Sequence, residues 1–274
     1  MKKQIIILTA GALSLALLAG CGSGGGSGTP QAAATTALSG TVADGYLANA
    51  TVFMDKNGNY QLDPGEPSAT TDAKGAYTLQ VSPTDIGKYP IVAIATKGVT
   101  MDLDTNSAVT GSYILSMPAA AVSGTVNVNS NFISPISSEV RELMETGSYT
   151  TMQQAMDALA QKLGLQTGTN NILMTNYLAT NNTAMHTAAQ NMATLMAGQM
   201  AQVMGSTAST ATTVDLSRYR TMMGTIFSNS TALVGSNTQT TMTSLMQTLT
   251  TNLSTVPMGT PFRNISSAFR GMMM

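Results

Sequence analysis

The chain has 274 residues, only 9% of them charged, with a formal net charge of -1 and a single cysteine. That balance excludes nucleic-acid binding, which needs clustered Lys and Arg against phosphate, and a lone cysteine excludes an internal disulfide. One histidine and one cysteine cannot complete a tetrahedral zinc shell, and the lack of Trp with 5% aromatics leaves little for a sugar-stacking surface.

Residues 1–20 read as a secretory leader. Lys2 and Lys3 precede an apolar run from Ile5 to Leu18, followed by the small residues Ala19 and Gly20. The run is too short to span a bilayer comfortably. Leu18-Ala19-Gly20-Cys21 resembles the lipobox of bacterial lipoproteins, which implies cleavage before Cys21 and acylation of its thiol and amine. Gly22 in place of Asp after the cysteine implies an outer-membrane address within that resemblance. Several acyl chains, each buried methylene contributing about 0.8 kcal/mol, would hold the mature chain on a membrane surface. Residues 21–37, rich in Gly and Ser and free of charge, have the composition of a flexible tether.

From 38 to 130 short β-rich runs alternate with turn residues. Gly40-Thr41-Val42, Ala50 to Met54, Ala76 to Val81, Ile91 to Ala95 and Tyr113-Ile114-Leu115 are the expected strands. Asp44-Gly45, Asn57-Gly58, Pro64-Gly65 and Lys74-Gly75 punctuate them, a pattern that predicts a small β-sandwich. This region carries eight acids against four lysines, which favours a neutral or cationic partner.

Residues 55–66 place oxygen side chains at positions 1, 3, 5, 9 and 12 of a twelve-residue loop: Asp55, Asn57, Asn59, Asp63 and Glu66. Gln61 offers its carbonyl at position 7, completing the spacing that wraps a calcium ion. The loop departs from an EF-hand, since Gly58 stands at position 4, Tyr60 fills the usual glycine position 6, and the flanks are strand-like. Gly40-Thr41-Val42, Asp44-Gly45, Ala50 to Asp55, Gly65-Glu66 and Thr71 to Tyr77 together resemble the calcium-binding B-repeat and carboxypeptidase-regulatory-like domains of bacterial surface proteins. The resemblance implies a transthyretin-like or immunoglobulin-like sandwich, with Asp55, Asn57, Asn59, Asp63 and Glu66 as ligand residues and Asp72 as a further candidate. A calcium ion there would be structural, bound at about 0.1 to 1 mM as in extracellular modules.

Residues 131–274 change to Met, Ala, Leu, Gln, Thr and Ser at helical spacing, predicting a helical bundle and hence an α+β, multidomain chain. Ser134-Pro135 starts a helix that Gly147 ends, and its Glu139, Arg141, Glu142 and Glu145 read as a solvated face. Thr151 and Gln154 form a capping box for a second helix closed by Gly164. Further helices are predicted over Thr183 to Met204, Asp215 to Phe227 and Gln239 to Leu253, with partial disorder from Thr221 to Pro261 as the alternative.

Met192, Met196, Met200 and Met204 recur every four residues, with Met185 and His186 nearby. Thioethers suit copper(I), so a periplasmic copper-handling role competes with a buried methionine seam, and the seam is the expected outcome. His186 has no nucleophile motif beside it, so the chain is not expected to be an enzyme. A carboxylate hydrolase would need Asp102 and Asp104 in a cleft with a further carboxylate. The expected role is a lipid-anchored cell-envelope binding or structural module. It would meet the membrane through its lipid and a protein or other envelope partner through its folded part, with no nucleic acid.

Overall fold

The computed structural model describes residues 34–168, 172–204, 213–234 and 239–258. Cys21 and most of the expected tether lie outside the described residues. The fold is α+β, with ten strands and five α-helices among the described residues.

Strand β1 (Thr36–Val42) is the centre of the first sheet. It begins inside the expected 21–37 tether because Thr36 and Ala37 already pair with Val81 and Gln80. Its neighbours are β5 (Ala76–Val81), antiparallel, and β10 (Asn131–Ile133), parallel. The second sheet runs in the order β4 (Ser68–Thr70), β3 (Thr51–Met54), β6 (Ile91–Ala95) and β9 (Tyr113–Met117), all antiparallel. A small third sheet joins β2 (Leu47–Ala48), β7 (Met101–Asp102) and β8 (Ser107–Ala108).

Burial along the strands shows which faces are covered. In β5, Tyr77, Leu79 and Val81 are buried while Thr78 and Gln80 are exposed, so one face of that strand meets solvent. All five residues of β9 are buried, which requires cover on both faces. Helices α1 (Pro135–Glu145) and α3 (Thr183–Val203) pack against it. Three serines stitch α1 to β9: the Ser116 N–H donates to Ser138 Oγ at 2.8 Å, and the Ser137 hydroxyl donates to the Ser116 carbonyl at 2.6 Å.

The helices α2 (Met152–Lys162), α4 (Leu216–Ser228) and α5 (Gln239–Thr255) complete the order. Ser134, Thr151, Asn182 and Asp215 cap α1 to α4, each side chain accepting the backbone N–H three residues on. The reciprocal capping box forms at α1, between Ser134 and Ser137. At α2 it does not close on the predicted residue, because Gln154 Oε1 accepts from the backbone N–H and hydroxyl of Thr150 instead of the N–H of Thr151.

The described residues form one compact unit, and one hydrophobic core runs from Leu38 to Leu253. The sequence boundary at 130/131 therefore falls inside a shared core. β10, just beyond it, pairs with the first strand, and α1 covers the last long one.

Candidate functional site

The loop expected to hold calcium is folded around its own acids. Asp55, at the end of β3, is fully buried. Its Oδ1 accepts from the backbone N–H groups of Gly58 and Asn59 at 2.8 and 3.1 Å, and its Oδ2 from Tyr60 at 3.2 Å. Asn57 Nδ2 and Asn59 Nδ2 both donate to Asp63 Oδ2, at 2.5 and 2.7 Å. Glu66 closes the turn, accepting from the N–H of Lys56 at 2.7 Å and of Asp63 at 3.0 Å. Gln61 donates its N–H to Asn59 Oδ1 at 2.8 Å.

The structure thus gathers Asn57, Asn59 and Asp63 into one cluster, ties Glu66 to it through the backbone, and places Asp55 between the loop's own N–H groups and Arg141. The side-chain oxygens are of the kind that suits a hard cation, but as folded the amide nitrogens of Asn57 and Asn59 face Asp63 and their oxygens accept the N–H groups of Asn59 and Gln61. Burial pushes the Glu66 carboxyl above its ordinary value, against its two backbone hydrogen bonds, and the charges of Asp55 and Asp63 add to the rise. Among the described residues no group of three His, Cys, Asp or Glu side chains is arranged to hold a metal.

The loop is clasped to α1 by a polar network that the sequence did not suggest. Arg141, fully buried, sits 3.3 Å from Asp55 Oδ2 through Nη2 and 2.6 Å from Glu145 Oε1 through Nε. Its guanidinium lies 4.0 Å from the centre of the Tyr60 ring. Tyr60 adopts φ +62° and is buried, so the residue that replaces the usual glycine drives its side chain into the interior. There it packs on Tyr219 of α4 and its hydroxyl donates to Glu142 Oε1. Arg220 of α4 approaches Glu142 and Glu145 at 3.7 and 3.8 Å.

The expected solvated face of α1 is therefore corrected for Glu139, Arg141 and Glu142, while Glu145 is exposed. Residues 135–143 are all buried, because α1 is held between β9 and the other helices. Glu139 and Glu142 line a cavity of about 240 Å³ with Arg220, Tyr149 and Phe227. Both carboxyl oxygens of Glu139 lack a hydrogen-bond partner among the described residues. Burial pushes the Glu139 carboxyl well above the usual range, with Glu142 adding to it. Burial also raises Glu142, to about 7, and Glu145 adds while Arg141, Tyr60 and Arg220 oppose.

The remaining candidates scatter. Asp72 caps its own turn, accepting from the N–H groups of Lys74 and Ala76 at 2.8 and 2.9 Å, and does not join the loop cluster. Met185, Met192, Met196 and Met200 are buried on the inner face of α3, and Met204 is partly buried. His186 pairs with Asp104 through Nε2 at 2.5 Å and stacks on Tyr177. Asp104 lies on an exposed turn, whereas Asp102 lines a cleft with Asp44. Among the described residues no helix is long and apolar enough to cross a membrane. No family model, curated protein or solved structure matches the chain.

Proposed function

We propose that the chain is a non-enzymatic, lipid-anchored module of the cell envelope, at the outer membrane, with a calcium-stabilised β-sandwich whose outer face is covered by helices. The address rests on Leu18 to Cys21 and the Gly/Ser stretch after it. The observation that carries the calcium role is the clasp. A cation on Asn57, Asn59, Asp63 and Glu66 would offset the burial and, to a lesser degree, the like charge that raise Glu66, and would brace a loop joined through Asp55 and Tyr60 to α1. Metal bound only by the folded chain adds stability by mass action.

Mass spectrometry of the chain purified from a bacterial envelope tests the anchor. The expected result is an acylated Cys21 at the amino terminus, with Cys21→Ser released to the soluble fraction. An unmodified thiol or an uncleaved leader overturns it. Melting of the leaderless protein in 2 mM calcium and in chelator, beside Asp63→Ala, tests the cation: the expected calcium-dependent rise belongs to the wild type alone.

The burial of Met192, Met196 and Met200 supports packing over copper handling. A hydrolase reading keeps one support, the cleft shared by Asp44 and Asp102. Chromogenic esters and glycosides cleaved by wild type and not by Asp44→Asn would establish it instead.

A further inference from the structure

A cleft of about 590 Å³ opens between the β7–β8 hairpin and α3, within the size range of small-molecule sites. Its polar end holds Asp44, Asp102 and Tyr113, and its other wall includes Ala193, Ala197 and Met246. Among the described residues no Lys, Arg or His lines it.

Two acids, Asp44 and Asp102, stand at that end, and Asp104 lies beside Asp102 around Gly45. A Cβ on Gly45 would sit 2.7 Å from Asp102 Oδ1 and 2.5 Å from Asp104 Oδ2, so a larger residue there would push the carboxylates aside. All three acids have hydrogen-bond partners. Asp104 receives His186 Nε2 and Gln190 Nε2 at 2.5 and 2.8 Å. Asp102 accepts the Asp104 N–H and the Thr105 hydroxyl, both at 2.9 Å. Asp44 is different. It is only 8% exposed, Tyr113 donates to its Oδ2 at 2.8 Å, and its Oδ1 has no partner among the described residues. Burial pushes its carboxyl up to about 7, opposed by the Tyr113 hydrogen bond and reinforced by Asp102 and Asp104. A buried carboxylate without a counter-charge is costly, and a cationic donor entering the cleft would remove that cost.

We propose that this cleft binds a small alkylammonium ligand, with its nitrogen between Asp44 and Asp102 and its carbon stem along Ala193, Ala197 and Met246. An ammonium brings three donors to acceptor-only carboxylates, and its stem suits a wall of methyl and thioether groups. A bare hard cation, which requires six to eight oxygens, would leave the apolar surface of Ala193, Ala197 and Met246 unused. The inference deepens the binding reading, names its ligand chemistry, and uses no residue of the 55–66 loop.

Titration calorimetry of the leaderless protein, in calcium and in chelator, with n-pentylammonium, 1-pentanol, pentanoate and calcium chloride as titrants tests it. The expected result is saturable binding of pentylammonium alone at this site, weakened at least tenfold by Asp44→Asn. Thr194→Lys, at an exposed α3 position lining the cleft, places an internal ammonium there and is expected to weaken binding equally. This second variant keeps the test decisive should Asp44→Asn fail to fold. Equal binding of pentanol, or affinity unchanged in Thr194→Lys, overturns the proposal. Failure of the anchor or of the calcium response, with pentylammonium binding intact, would instead count against the envelope reading alone.

Discussion

At the residue scale, the pair most exposed to test is Asp55 and Arg141, both fully buried and 3.3 Å apart. Removing one partner leaves the other charge in the interior, a loss of about 3–5 kcal/mol, while removing both is far milder. Urea melts of Arg141→Met and of the double variant Asp55→Asn/Arg141→Met check this. The single change is expected to be strongly destabilising and the double to recover more than half of the loss. Glu139 gives a pH-dependent prediction. Its folded value is raised well above the ordinary 4.5. As pH climbs past 4.5 the unfolded chain releases this proton and the folded chain retains it, so this group's contribution to stability falls until the folded value is reached. Glu139→Gln should therefore raise the melting temperature at pH 8, by roughly 2–4 °C for each kcal/mol removed, and leave it nearly unchanged at pH 4. An equal gain at both pH values would point to packing instead.

At the element scale, the parallel pairing of β1 with β10 depends on Gly40, where an added Cβ would come 2.0 Å from the Asn131 carbonyl oxygen. That contact is backbone and cannot rotate away, so the strands must separate. Gly40→Ala is expected to be strongly destabilising in a denaturant melt, by about 2 kcal/mol or more. Gly224→Ala, which would meet no atom within 4 Å, should instead stabilise α4 slightly through helix propensity. The helices themselves were readable from caps. Ser134, Thr151 and Asp215 stand where N-caps belong, and α3 and α5 fall close to their predicted spans. The strands β2, β4, β7, β8 and β10 were not predicted, because runs of two or three residues such as Ser68–Thr70 carry no period long enough to detect.

At the scale of the whole molecule, the shared core makes the strand-rich half dependent on the helical half. A fragment of residues 34–130 lacks β10 beside β1 and lacks α1 and α3, which pack on β9, and so leaves that fully buried strand without its helical cover. It is expected to give a poorly dispersed amide NMR spectrum and no cooperative thermal transition. A chain of residues 34–274 should melt in one step. Two independent transitions would instead restore the separate domains that the composition shift at 131 suggested.

The local pattern of residues was enough for the elements that announce themselves within a few positions: capped helices, alternating strands, the Asp/Asn turn of 55–66, and a methionine face repeating every four residues. Each depends on neighbours in the chain, where spacing is fixed by covalent geometry. The same information misjudged α1. Glu139, Arg141, Glu142 and Glu145 have the composition of a wet helix face; Glu145 is exposed as that reading expects, but Glu139, Arg141 and Glu142 are buried, and Arg141 and Glu142 join Tyr60, Asp55 and Arg220 in an interior network. Tyr60 at the glycine position was the one visible trace of that clasp. The Asp44 cleft was hidden for the same reason, since its walls come from segments some 60 to 200 residues apart. Whether a charged group is solvated, paired or left waiting for a ligand depends on the surfaces that long-range packing brings to it.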